Sequence, residues 1–327
     1  MPSLLPRRFC MTPLVNTKKI QHTNRVSREG LKLFLLVSPF LALLFVFSYF
    51  PLHGWIYAFY DYSPLKGLAK STFVGLKWFS HLYENPVRLA RFFQVLKNTF
   101  AFSGLSTAFS WLPVAFAIFL SEIRIGKVKK TVQTLTTLPN YISWVMVYAM
   151  AFALFSSDGM LNSLLKSLGF IEKSIEFLNV KGPSVWWTMW GWGVWKSMGW
   201  SAIIYLAAIA GIDQELYEAA RVDGAGRFRL MWHITVPGIQ ETYLVLLLMG
   251  IASFLSNGFD QYYVFGNSLN MEYMQVLDLY VYNITLAQAP PLYSLATAIG
   301  MAKSLISLAL LFGANSIAKI VRGNPII

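Results

Sequence analysis

Six long apolar segments constrain the fold of this chain more than any other feature of its sequence. The hydrocarbon core of a bilayer requires about twenty mainly apolar residues for one transmembrane helix. We therefore predict an all-α polytopic membrane protein with six transmembrane helices. The predicted spans are residues 33–57, 98–120, 138–155, 185–210, 239–257 and 293–313. No small-residue cleavage site follows the first span, which is expected to be an uncleaved anchor and not a signal peptide.

The composition supports the membrane assignment and argues against other classes. Only 13% of the 327 residues are charged and 56% are hydrophobic, whereas soluble domains carry about a quarter charged residues. The single cysteine, Cys10, excludes an internal disulfide and a cysteine-based metal site, and no metal site is predicted. The net charge of +12 comes from dispersed basic residues without a nucleic-acid-binding motif, so no nucleic-acid partner is expected.

Lysine and arginine are distributed unevenly between alternate connecting segments. Sixteen lie in the N-terminal segment, the 121–137 loop, the 211–238 loop and the C-terminal tail, and nine lie in the intervening loops. Because cytoplasmic loops carry the excess of these residues, both termini are predicted to be cytoplasmic. The predicted domains are a basic cytoplasmic segment (1–32), a six-helix transmembrane domain (33–315) that contains the 211–238 loop, and a cytoplasmic tail (316–327).

A polar segment, residues 211–238, separates the fourth and fifth spans and is called the polar island here. Its first part has the features of a short helix. Asp213 can cap that helix, because its carboxylate accepts hydrogen bonds from the first backbone N–H groups. Ala219 and Ala220 then give the helix a bare face that another protein surface can approach closely.

The second part of the island has the features of a turn followed by another helix. Asp223 and Gly224 form a turn signal, because glycine tolerates a positive φ at no steric cost. A second short helix carrying Arg227 and Arg229 is expected to follow and to stop near Pro237.

This island resembles the EAA loop of permease subunits in binding-protein-dependent ABC importers. The family pattern EAA-x3-G-x9-I-x-L-P is matched at Glu218, Ala219, Ala220, Gly224, Ile234 and Pro237. Val236 stands where the family has leucine and keeps an apolar side chain there. The resemblance implies that these residues, with Asp223, dock in a groove of an ATPase subunit and transmit its motion. An ordinary amphipathic connector between two membrane helices remains the alternative.

Further motifs resemble one branch of the sugar importers, the lipoprotein-associated oligosaccharide permeases, and the likeness extends to the alginate-oligosaccharide importers. The matching segments are Tyr49 to Gly54, Ala58 to Tyr62, Lys97 to Thr99, Trp195-Lys196, Gly199-Trp200, Tyr205 to Ala208, Tyr293-Ser294 and Lys303-Ser304. The resemblance implies a bacterial inner-membrane complex with a second homologous permease, two ATPase subunits and an external solute-binding protein. Membrane lipid is also expected to contact the chain.

The chain itself carries no signature of catalysis. It contains no G-x-x-x-x-G-K-[ST] loop to hold phosphates, and Gly224 to Arg227 lacks both the spacing and the lysine. No metalloprotease or serine-hydrolase motif occurs. We therefore predict that the chain is not an enzyme and has no cofactor or catalytic residue of its own, and that ATP and Mg²⁺ bind the partner subunits.

Three residues spaced four apart in the fourth span are candidates for the substrate pathway. Trp192, Lys196 and Trp200 share one helix face. Lys196 lies roughly 16 Å into the span, near the bilayer midplane, where a charge normally faces a cavity or a partner. It can line the pathway and attract an acidic sugar. The structural alternative is a lysine paired with a carboxylate or a backbone carbonyl at the interface with the sister permease.

The remaining pathway candidates come from the last two spans. Lys303 lies within the last span and presents the same two alternatives, with Glu241 as a potential partner. Polar groups suited to hydroxyl recognition also lie at the outer end of the fifth span, although solvated loop polarity explains them equally well. These candidates are Asn257, Asp260, Gln261 and Tyr262.

Together these features predict the permease subunit of an ATP-driven ABC importer. It would move oligosaccharides, including acidic ones of the alginate or pectin type, from a solute-binding protein into the cytoplasm by alternating access. Two alternatives remain open. One is an ATP-independent channel or secondary transporter, and the other is an ABC permease for a non-sugar solute such as a peptide.

Overall fold

The structure, a computed structural model, describes residues 28–322 and confirms the all-α prediction. In this range every regular element is a helix, and a single isolated antiparallel bridge joins Tyr60 and Phe73. Cys10 and the basic residues that precede Arg28 lie outside the described residues. The contacts divide the chain into two units, Met1–His53 and Gly54–Ile327.

The described part of the first unit is helical. It contains α1 (Arg28–Leu44), which continues through a π-helical turn at Phe45–Tyr49. A 3-10 segment, Phe50–Phe59, follows. The side chains of α1 are mostly exposed and apolar, as expected of a helix that faces lipid.

The second unit contains fourteen α-helices among the described residues. Its first seven are α2 (Lys77–Ser80), α3 (Pro86–Ala108), α4 (Leu112–Ser121), α5 (Gly126–Thr137), α6 (Trp144–Phe155), α7 (Met160–Ser167) and α8 (Ser184–Ala210). The remaining seven are α9 (Gln214–Val222), α10 (Arg227–Leu230), α11 (Val236–Ala252), α12 (Asp260–Phe265), α13 (Met271–Met274), α14 (Leu277–Tyr282) and α15 (Tyr293–Arg322).

Five helical segments of the described residues are long and apolar enough to cross a membrane. They are Gly30–Phe59, Pro86–Ser121, Trp144–Ser167, Arg227–Ala252 and Tyr293–Ser316. Each contains or overlaps one of the predicted spans, so five of the six spans are supported by both length and composition.

The sixth predicted span, 185–210, is a continuous helix, α8, that falls outside this set. Its 27 residues give a length of about 40 Å, which is more than the roughly 30 Å hydrocarbon core requires. Six tryptophans and several glycines lower its apolar character, because the indole ring is amphipathic. The length of α8 therefore supports the sixth predicted span, whereas its mean hydropathy does not.

The start of the third span differs from the predicted residue 138. A 3-10 turn occupies Leu138–Tyr141, and α6 begins only at Trp144. Pro139 cannot donate a backbone hydrogen bond. Ser143 then caps the new helix, because its hydroxyl accepts from the backbone N–H of Met146 at 3.4 Å.

Close helix crossings hold the second unit together where small residues meet. Ala117 of α4 and Ala202 of α8 are fully buried against each other's helices, with Tyr205 beside them. Gly199 lies so close to α5 that an added β-carbon would be 2.2 Å from the carbonyl oxygen of Thr136. Small side chains permit this approach of two backbones in a membrane bundle.

A buried asparagine, Asn98, joins α3 to the segment around α13 and to α8. Its Nδ2 donates to the carbonyls of Glu272 at 2.8 Å and Gln275 at 3.0 Å, and its Oδ1 accepts from the Trp186 indole at 3.2 Å. The adjacent Thr99 hydroxyl accepts from the first backbone N–H of α14 at 2.9 Å. Both side chains are fully buried, so these bonds have no competition from water.

Replacement of Asn98 by leucine (Asn98→Leu) is expected to destabilise the fold by about 2–4 kcal/mol, because it removes the buried hydrogen bonds of the Asn98 amide and deprives the Gln275 carbonyl of its side-chain donor. The measurement is unfolding of the purified chain in detergent, followed by tryptophan fluorescence.

The matched control is Gln94→Leu, one turn earlier on α3. Gln94 donates to Asn98 at 3.2 Å and to the Glu272 carbonyl at 3.4 Å, but it is only half-buried, so water can replace these bonds. A loss under about 1 kcal/mol is therefore expected. If Asn98→Leu is as stable as the wild type, the hydrogen bonds of Asn98 are not what holds α3 to α8 and to the segment around α13.

Candidate functional site

The first helix of the polar island, α9, forms as the sequence predicts. The Asp213 side chain accepts from the backbone N–H of Glu215 at 3.0 Å and caps the helix. On the inner side of α9, the buried Tyr217 hydroxyl lies 2.9 Å from the Thr235 hydroxyl, just before α11. The island is therefore tied to the base of α11 by a buried hydrogen bond.

The predicted turn at Gly224 is also confirmed. Gly224 has φ of +76° and open space around its α-carbon. Its N–H donates to the carbonyl of Arg221 at 3.0 Å, and the N–H of Ala225 donates to Ala220 at 2.9 Å. Glycine stabilises this left-handed end of a helix because it lacks a β-carbon.

The prediction that the second helix stops near Pro237 is wrong. Helical structure continues from α10 through a π-helical turn, Met231–Thr235, directly into α11. Pro237 lies in the first turn of α11, where the wider hydrogen bonding of the preceding π turn accommodates the missing N–H. The second helix of the polar island is therefore continuous with the fifth span.

The island exposes an apolar surface. Glu218 and Ala219 are exposed on α9, whereas Ala220 and Ile234 are half-buried. Several large apolar side chains nearby are more than half exposed. These are Leu216, Val222, Phe228 and Trp232, at 54%, 88%, 80% and 71%. Apolar surface beside a charged segment is typical of a protein-docking site.

A second feature is a cavity of about 550 Å³ between α3, α8, α11 and α12. Aromatic rings, among them Trp144, Trp190 and Tyr262, form part of its wall. Its aliphatic hydroxyl groups come from Ser103, Ser106, Thr107, Ser110, Ser197, Ser201, Ser253 and Ser256. The sequence interpretation missed these residues, although Ser103, Ser106 and Thr107 share a face of α3 by their spacing.

The four polar candidates after the fifth span all line this cavity: Asn257, Asp260, Gln261 and Tyr262. Asn257 donates to the Ser103 hydroxyl at 2.9 Å, while its buried Oδ1 has no hydrogen-bond partner among the described residues. Gln261 donates to the carbonyl of Met189 on α8 at 2.7 Å. Asn257 and Gln261 are therefore held in place by contacts to α3 and α8.

Tyr262 contributes a buried phenol to the wall of this cavity. Tyr262 is almost fully buried, and burial, followed by the negative charge of Asp278, raises the pKa of its hydroxyl above the ordinary value. A tyrosine hydroxyl is neutral at physiological pH even with its ordinary pKa, and the neutral phenol can both donate and accept a hydrogen bond.

Lys303 is paired, and its partner is Asp278 rather than Glu241. Its ammonium group forms an ion pair with Asp278, whose other oxygen accepts from the backbone N–H of Gly258 at 2.8 Å. Gly258 has φ of +71° and lies between Asn257 and the start of α12. Lys303 therefore supports the turn that carries the cavity residues, and the described lining of the cavity does not include it.

Lys196, Trp192 and Trp200 also lie outside the described lining of the cavity. The buried Lys196 donates to the carbonyls of Pro139 at 3.0 Å and Asn140 at 2.9 Å. Its ammonium group also lies 5.4 Å from the centroid of the Trp144 ring. The carbonyl pairing resembles the structural alternative, but it is made within this chain, and a role of Lys196 in transport stays a prediction.

The two tryptophans occupy different surroundings, although their spacing places them on one face. Trp192 packs against Phe155 and Phe265, at ring-centroid distances of 5.9 and 5.7 Å. Trp200 is about half exposed and meets Tyr141 edge-on at 5.8 Å. The described contacts therefore do not bring Trp192, Lys196 and Trp200 together as one sugar-binding surface.

Comparison with known proteins places these features in a family. A family model described as "Binding-protein-dependent transport system inner membrane component" matches residues 114–322. The chain is 41% identical to Protein LplB of Bacillus subtilis (strain 168) over 291 residues, 88% of each chain. It is 40% identical, over 88% of its length and 87% of the relative's, to the polygalacturonan/rhamnogalacturonan transport system permease protein YteP of the same organism.

Two solved structures have the same fold. A chain of a bacterial ABC transporter involved in the import of the acidic polysaccharide alginate superposes with a TM-score of 0.77 at 29% identity, covering 91% of this chain and 98% of that one. The same TM-score and identity are found for a chain of the alginate transporter in complex with an alginate pentasaccharide-bound periplasmic protein, with 92% and 98% coverage. The chain therefore belongs to the family of inner-membrane components of binding-protein-dependent transport systems.

Proposed function

We propose that this chain is the permease subunit of an ATP-driven importer that carries oligosaccharides across the bacterial inner membrane by alternating access. The observation that carries this proposal is the cavity lined by eight aliphatic hydroxyl groups and several aromatic rings. Hydroxyls and amides can exchange hydrogen bonds with sugar hydroxyls, and aromatic walls exclude water from the sugar ring faces.

The cargo is an acidic oligosaccharide of the alginate or pectin type. This proposal is supported by relatives named for polygalacturonan and rhamnogalacturonan transport and for alginate import. The described cavity lining contains one charged side chain, Asp260, and no cation. We therefore assign hydroxyl recognition to this chain, and recognition of the cargo's carboxylates to the solute-binding protein and the sister permease.

The exposed island is the coupling surface for an ATPase subunit. Glu218, Ala219, Ala220, Asp223 and Gly224 would dock in its groove, with Ile234 and Pro237 at the base of the fifth span. Two such ATPase subunits bind ATP and Mg²⁺ and carry out the hydrolysis, and a second homologous permease completes the pathway. In this arrangement both termini and the 211–238 loop face the cytoplasm, and 33–315 forms the transmembrane domain.

Substitution in the 211–238 loop, which contains the polar island and is called the coupling loop from here on, is expected to release the ATPase. Glu218→Lys reverses an exposed charge, and Gly224→Asp adds a β-carbon and a negative charge to a left-handed residue, a conformation that aspartate adopts less readily than glycine. Co-purification of the candidate ATPase with the tagged chain should fall at least tenfold for both variants, while the chain remains in the membrane.

Matched controls separate docking from general damage. Glu272→Lys reverses an exposed charge in the 258–292 loop, and Gly75→Asp strains another open glycine, with φ of +56°. Both should retain the ATPase. Equal recovery from the two loop variants and the wild type would refute the coupling role of the loop.

Filling the cavity is expected to block transport without dissociating the complex. In Ser197→Leu/Ser201→Leu, two bulky side chains replace hydroxyls on the cavity face of α8. Uptake of a labelled oligosaccharide should fall at least tenfold, while the chain still co-purifies with the ATPase. Thr188→Leu is the control, because Thr188 lies on α8 but lines a different groove. Normal uptake by the double variant would show that the cargo does not pass through this cavity.

A further inference from the structure

A second polar cavity lies between the 121–137 segment and the coupling loop. Its volume is about 470 Å³, within the roughly 300–1,000 Å³ typical of ligand pockets. The end of α4, the start of α5, the end of α8 and both helices of the coupling loop contribute to its wall. It is separate from the hydroxyl-lined cavity, with which it shares no lining residue.

The lining of this second cavity is strongly cationic. Arg124 and Lys129 come from the α4–α5 side, and Arg221 and Arg227 come from the two sides of the turn at Gly224. Glu122 is the one carboxylate in the described lining. Among residues 28–322, no ion pair involves any of the four cationic side chains. Four cationic side chains therefore contribute to one cavity wall, with one carboxylate to offset them; Lys129 is half-buried, and the three arginines are exposed.

The polar neighbours of these cations suit an oxygen-rich anion. Gln133 and Gln214 line the cavity and carry side-chain amides that donate hydrogen bonds. Tyr217 and Thr235 are already bonded to each other, and they close the inner wall. Arginine presents a planar fork of N–H donors that matches phosphate oxygens in pairs, and lysine adds a point charge.

We propose that this cationic cavity binds a phosphate-bearing anion, either the headgroup of an anionic phospholipid or a soluble phosphorylated compound. Arg221 and Arg227 flank the turn at Gly224, and the other two cations belong to the 121–137 segment. A bound phosphate would therefore hold the coupling loop against the rest of the cytoplasmic face. Basic pockets between helices on this side of a membrane are suited to lipid headgroups. The inference rests on the proposed function only for the cytoplasmic position of the loop.

The test uses the full-length chain, purified and delipidated in an uncharged detergent. Thermal unfolding is followed while inorganic phosphate, or short-chain phosphatidylglycerol, is added at constant ionic strength. Chloride and phosphatidylcholine of the same chain length are the blanks. Native mass spectrometry counts the bound probe. We expect saturable stabilisation of the wild type by at least one of the two probes, with one probe molecule per chain.

Two pairs of substitutions locate the site. Arg124→Gln/Lys129→Gln removes two lining cations and should weaken the apparent affinity by roughly tenfold or more. Lys127→Gln/Lys130→Gln removes the same charge from exposed residues of α5 outside the described lining, and should leave the affinity unchanged. If the first pair prevents folding, Arg221→Gln alone tests the site from the coupling loop.

The outcomes are distinguishable. Stabilisation by phosphatidylglycerol alone supports a lipid headgroup, and stabilisation by phosphate, with or without the lipid, supports a soluble anion. Absence of saturable binding to the wild type, or equal loss in the lining and control variants, would overturn the proposal. Neither result depends on the cargo, so failure of sugar transport and failure of this site are separate observations.

Discussion

The fold depends on satisfying a small number of buried polar groups inside an apolar helix bundle. Water is scarce in the bilayer core, so a buried polar group is costly there unless it finds a partner within the protein. Lys196 binds two carbonyl groups of the 3-10 turn before α6, Asn98 joins α3 to α8 and α13, and Lys303 pairs with Asp278. Each of these contacts lies where two or more helical segments meet, and so each fixes how those segments pack.

A continuous helix connects the coupling loop to the hydroxyl-lined cavity. Helical structure runs without interruption from Arg227 to Ala252, a length of about 39 Å. Its first residues belong to the proposed docking surface, and its last turns, at Leu246 and Gly250, line the hydroxyl-rich cavity. A displacement of the loop would therefore move the cavity wall directly, as alternating access requires.

Local signals allowed much of this structure to be predicted from the sequence. The cap at Asp213, the left-handed glycine at position 224 and most spans follow from the chemistry of short segments. The continuation of the helix past Pro237 was not predictable in this way, because a π turn compensates for the missing N–H. The hydroxyl-lined cavity was missed because its serines come from three distant segments, and only tertiary packing brings them together.

Lys196 illustrates the same limit at a single residue. Its depth in the span predicted that it needs a partner, and the structure gives it one. The sequence could not identify that partner, because the carbonyl groups of Pro139 and Asn140 become accessible only where the chain turns before α6. Charge position within a span thus predicts the need for a contact, and the fold determines which contact is made.

ATP-dependent uptake is the most direct test of the central claim. The complex of this chain, its sister permease and the ATPase would be reconstituted in liposomes, with the solute-binding protein outside and ATP inside. We expect accumulation of a labelled acidic oligosaccharide that requires both ATP and the binding protein, and no accumulation of a labelled peptide. Equal uptake without ATP or without the ATPase subunits would contradict the assignment and would favour a channel or a secondary transporter.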